Sequence, residues 1–117
     1  MDRSVSMLDA FRQQFDAQSS KGQSFDQLMS GHNGASIALQ QIVLSFVDRS
    51  YRFNVASAFS KLDPENRQRA SWVLTAHECH DTFGMLSVID LCREYPRLIE
   101  LYDPADEMRA LILKNLG

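Results

Sequence analysis

Apolar residues along this chain recur at three- and four-residue spacing, with little of the strict alternation that marks strands. Leu8, Phe11 and Phe15 form one stripe and predict a first helix over about Ser4 to Gln18. Ser19 to Gln23 is polar and reads as a link. Ser24 and Gln27 have capping-box spacing and start a short helical turn carrying Phe25, Leu28 and Met29. Ser30-Gly31-His32-Asn33-Gly34 ends it, with a new helix start at Asn33.

No Pro or Gly interrupts residues 35–62. Asp63-Pro64-Glu65 is then a strong start signal, with Asp63 as N-cap and Pro64 as first helical residue. A second long stretch runs from Glu65 to about Tyr95, before Pro96. Asp103-Pro104 repeats the signal and launches a last helix to about Leu116, with Met108, Leu111 and Ile112 as its stripe. The expected fold is all-α: a small helical bundle built on a long antiparallel hairpin, about 35–62 and 65–95, with flanking N- and C-terminal helices. One domain over 1–117 is expected, with residues 1–34 as a helix and loop able to move against a helical core of 35–117.

Each long stretch changes its apolar face part-way. Leu39, Ile42, Phe46 and Phe53 share one side of the first; Tyr51, Val55, Ala58 and Leu62 lie nearly opposite. In the second, Trp72, Ala76, Cys79, Phe83 and Leu86 form a seam with coiled-coil spacing, and Val88, Leu91, Cys92 and Tyr95 lie well off it. Two explanations stand. The helices break near Arg49-Ser50 and Asp81-Thr82, or they continue and the surplus apolar surface meets another chain. The absence of proline at either point favours continuity and a homodimer.

Candidate chemistry is concentrated in His77-Glu78-Cys79-His80-Asp81. On a continuous helix His77, His80 and Asp81 share a face and could hold zinc or a similar metal. The order misses the His-Glu-x-x-His pattern by one residue, and no third remote ligand presents itself. Cys79 and His80 are helix neighbours pointing apart, so they make a poor nucleophile pair. The plainer reading places both histidines beside a buried seam. No nucleophile elbow, phosphate-binding loop or dinucleotide glycine pattern is present, so no enzyme activity and no cofactor are expected.

The net charge is −3, which gives no reason to expect nucleic acid or an anionic membrane. Arg49, Arg52, Lys61, Arg67 and Arg69 outnumber their acidic neighbours Asp48, Asp63 and Glu65, a small surplus usual for a solvated face; any phosphate contact would use Arg49, Arg52, Arg67 and Arg69. Met1 to Ser6 lacks a signal-peptide core, and no apolar run nears the roughly 20 residues of a membrane span. Cys79 and Cys92, about 20 Å apart on one straight helix, would stay reduced thiols. These features imply a cytoplasmic protein without a membrane partner.

In size and character the chain resembles the small helical anti-activators and adaptors with which bacteria sequester regulators, a likeness of class that no motif narrows to a family. It implies a non-enzymatic regulator binding another protein, with Trp72, Ala76, Cys79, Phe83 and Leu86 as contact residues. The alternative is a metal-binding or metal-dependent enzyme using His77, His80 and Asp81.

Overall fold

Local capping sets where the helices begin. Ser24 accepts the Gln27 amide at 3.3 Å while the Gln27 side chain accepts the Ser24 amide at 2.9 Å, closing the expected capping box. Asn33 caps the next helix through the Ser36 amide (2.8 Å) and Asp63 another through Asn66 (2.9 Å). Ser87 and Asp106 do the same for the last two helices. The computed structural model describes residues 3–19, 21–79 and 86–117, with side chains for 7–19, 21–75 and 86–117. The elements are α1 (Arg3–Ala17), α2 (Phe25–Ser30), α3 (Gly34–Val47), α4 (Val55–Ser60), α5 (Pro64–Cys79), α6 (Val88–Glu94), a 3₁₀ turn (Pro96–Leu101) and α7 (Glu107–Leu116). No strand occurs among the described residues. No described helix is long and apolar enough to cross a membrane.

Every element gives side chains to one apolar cluster. α1 is part of it: Phe11 and Phe15 are fully buried. Phe11 meets Phe25 edge-on at 5.7 Å and stacks on Phe46 at 5.4 Å, while Phe15 meets Phe25 at 4.9 Å. Such ring pairs contribute about 0.5–1.5 kcal/mol each beyond area burial. The described side chains of α1 and α2 share this cluster with those of α3 to α7. The Cα radius of gyration, 13.5 Å, matches the roughly 13 Å of a compact chain of this length.

Gln40 is completely buried and donates to the carbonyls of Leu28 and Gly31, both at 2.9 Å, tying the end of α2 to α3. Gly31 is required by space rather than by backbone angle: a Cβ there would lie 2.4 Å from Ser36 Oγ.

The long hairpin is corrected in its continuity. Residues 35–62 are two helices, because α3 stops at Val47. Asp48 turns to an extended ψ, and its carboxylate accepts the Ser50 amide (3.0 Å), the Ser50 hydroxyl (2.7 Å) and the buried Tyr102 hydroxyl (2.8 Å). Asp side chains compete with the helix for backbone amides in this way. Asn54 then caps α4 through Ser57 at 2.9 Å. The change of direction explains the change of face: Leu39 and Ile42 from α3, and Ala58 and Leu62 around α4, enter the same core. Of the second face, Val55 alone stays largely exposed, at 47%.

Residues 65–95 are likewise divided, since α6 starts at Val88 behind its cap Ser87; the expected break at Asp81-Thr82 lies outside the described residues. What remains of the hairpin is the packing of α3 on α5. α7 also begins later than expected, at Glu107. Its Ile112 is buried, but Leu111 is 46% exposed, so the stripe is narrower than read.

Candidate interaction surface

The sequence-predicted contact seam is only partly visible. Trp72 is partly buried on α5, its ring 5.1 Å from that of Phe11. Leu86 is 4% exposed and belongs to the protein's own core, leaving little surface for a partner. Ala76 and Cys79 lie on α5 with side chains outside the described residues, as does His77. Phe83, His80 and Asp81 lie outside altogether. Among the described residues no group of three His, Cys, Asp or Glu side chains is placed to hold a metal.

The described ionisable groups of altered acidity serve packing. Burial first, and the charge of Asp48 second, push the Cys92 thiol up to about 12, which keeps it protonated and inert near neutrality. Burial, then the bond to Asp48, raises Tyr102 far above the ordinary phenol range.

A cleft of about 310 Å³ opens between α1 and α2, lined by Asp9, Arg12, Gln13, Asp16, Phe25 and Asp26. Its charges are engaged with one another. Arg12 donates to Tyr95 Oη at 2.9 Å, pairs with Asp9, and lies 3.5 Å from both Asp26 and Glu94. Tyr95 donates to Asp26, and Asp16 accepts the Phe25 amide at 2.8 Å. Burial and the Asp26 carboxylate hold the Tyr95 hydroxyl protonated well past its usual range. The arrangement clasps α1, α2 and α6 together.

Of the four arginines considered for phosphate, Arg69 is withdrawn from the surface. It is 2% exposed, sits 5.2 Å over the Phe15 ring and donates to the Gln23 carbonyl at 2.6 Å. Arg67 is exposed and donates to the Phe59 carbonyl at 3.3 Å.

Arg49 and Arg52 stand on the loop between α3 and α4, exposed to solvent. Between and beside them Tyr51 and Phe53 are partly exposed, their rings 6.0 Å apart. The loop is held from below by Asp48 and by Tyr51, whose ring meets Tyr102 edge-on at 5.2 Å and whose amide donates to the Asp48 carbonyl at 3.1 Å. Sequence reasoning treated Tyr51 and Phe53 as helix-face residues. The signal that could have found the loop is the pair Asp48 and Asn54, both turn and cap formers, bracketing it. No family model, curated protein or solved structure matches the chain.

Proposed function

We propose that this is a small non-enzymatic regulatory or adaptor protein that acts by binding another protein. The observation that supports the reading is the α3–α4 loop, where Arg49, Tyr51, Arg52 and Phe53 are presented together on a pinned backbone. Arginine and tyrosine are among the residue types that dominate interface energetics, and a preordered loop loses little entropy on docking. A buried Cys92 thiol held protonated, and Tyr95 and Tyr102 hydroxyls each bonded to a carboxylate, fit a scaffold better than a reaction centre. An anti-activator that sequesters a regulator in the cytoplasm is the specific form of this reading.

The homodimer expected from the sequence loses part of its first argument, because both apolar faces of residues 35–62 send side chains into one core, although Val55 stays 47% exposed. The test of the function is affinity capture by the immobilised protein from its native lysate. Enrichment of one protein in stoichiometric amount supports the reading. Recovery of no stoichiometric partner contradicts it.

A further inference from the structure

The loop after α3 has a fixed frame and unused charges. Asp48, 6% exposed, sits at the C-terminus of a helix, where the macrodipole disfavours a carboxylate. Its oxygens are turned to Ser50 and Tyr102, not to the neighbouring arginines. Arg49 has no hydrogen bond or ion pair among the described residues, and Arg52 has a bond to the Arg49 carbonyl at 3.3 Å and no carboxylate. Two guanidinium groups without a carboxylate partner therefore share the loop with the Tyr51–Phe53 pair, on a molecule whose net charge is −3.

We infer that this loop is the docking surface for an acidic segment of the partner protein, an inference that rests on the adaptor reading. A guanidinium fork matches a carboxylate in bidentate geometry, and a positive spot on a negative protein selects for the complementary charge. The aromatic pair on the same loop adds apolar contact. A long polyanion would extend past the loop over a molecule of net charge −3, whereas a short acidic segment touches the loop alone.

The probe is a short fluorescein-labelled peptide rich in glutamate with a single tryptophan, followed by anisotropy against the full chain. An oligothymidylate of matched charge serves as comparison. The peptide is expected to bind the wild type more tightly than the oligonucleotide does, with affinity falling as salt rises. The R49Q/R52Q variant is expected to bind about tenfold more weakly, because neither glutamine can form the exposed ion pair its arginine makes with the peptide. Because both side chains are exposed, with only the solvent-exposed Arg52 bond to the Arg49 carbonyl between them, this variant should melt like the wild type, and amide shifts on titration should centre on residues 49–53.

No peptide binding, or equal binding by R49Q/R52Q, overturns the inference. Tighter binding of the oligonucleotide overturns it in favour of nucleic acid. Self-association that R49Q/R52Q abolishes and the peptide does not compete overturns it in favour of a second copy. If the peptide fails while the wild type still captures a stoichiometric partner from lysate, the surface is wrong and the adaptor reading stands. If both fail, the adaptor reading falls as well.

Discussion

Tyr102→Phe tests the pinning of the α3–α4 loop. The substitution keeps the ring that meets Tyr51 at 5.2 Å and removes the hydroxyl that donates to Asp48 Oδ2 at 2.8 Å. Both residues are buried, at 2% and 6% exposure, so water does not readily replace the lost donor. A hydrogen bond to a charged acceptor contributes about 1.5–3 kcal/mol. Asp48 keeps its two bonds from Ser50, which places the expected loss near the middle of that range, about 2 kcal/mol. Unfolding entropy of about 2.1 cal/mol/K per residue makes about 0.25 kcal/mol/K for 117 residues, so the melting temperature should fall by about 8 °C. Tyr51→Phe gives the comparison. Its hydroxyl reaches the Leu101 carbonyl at 3.4 Å, a long neutral bond, and the expected fall is under about 4 °C. Calorimetric melts of the three proteins decide it, with amide exchange at Ser50 and Tyr51 as a local readout. If Tyr102→Phe melts with the wild type, or no lower than Tyr51→Phe, the pinning argument fails.

Three further outcomes are expected. Cys92 holds its proton up to about 12 when folded against an ordinary 9.0, so the folded chain binds that proton more tightly. Its contribution is complete below pH 9 and declines as pH rises toward 12, by up to about 1.4 kcal/mol per pH unit; urea midpoints at pH 8, 9 and 10 should fall less steeply in Cys92→Ala. Gly31→Ala puts a Cβ 2.4 Å from Ser36 Oγ and 2.9 Å from Ser36 Cβ, which overpacks the α2–α3 junction and should cost about 1–3 kcal/mol. A Gly31→Ala protein that melts with the wild type would refute that contact. Light scattering on the purified chain should give the 13.3 kDa monomer; a dimer of twice that mass would restore the sequence expectation of self-association.

Helix starts are legible in the sequence because their causes are local. Ser24 with Gln27, Asn33, and Asp63 with Pro64 each act within three residues, and each starts a helix where the pattern says. The stop at Val47 is not legible, because half its cause is remote. Asp48 competes with the helix locally, but its second oxygen is held by Tyr102, 54 residues away. The absence of proline at Arg49-Ser50 argues against a break, yet an aspartate with a distant donor is enough to make one. The same limit applies to charge. Counting arginines groups Arg69 with Arg49 and Arg52, yet Arg69 is drawn inward by the Phe15 ring and by the Gln23 carbonyl, 46 positions away. What the count preserves is the pair on the loop, and what it lacks is the aromatic pair beside them. The His77 to Asp81 run lies outside the described side chains, so the reading of it as a metal site gains nothing from the fold.

The most direct measurement is side-by-side capture from native lysate with immobilised wild type and with R49E/R52E, quantified by mass spectrometry. The account predicts one protein bound stoichiometrically by the wild type, through a sequence rich in aspartate or glutamate, and lost on charge reversal while the variant's melting temperature is unchanged. A wild-type protein that retains no stoichiometric partner would contradict it.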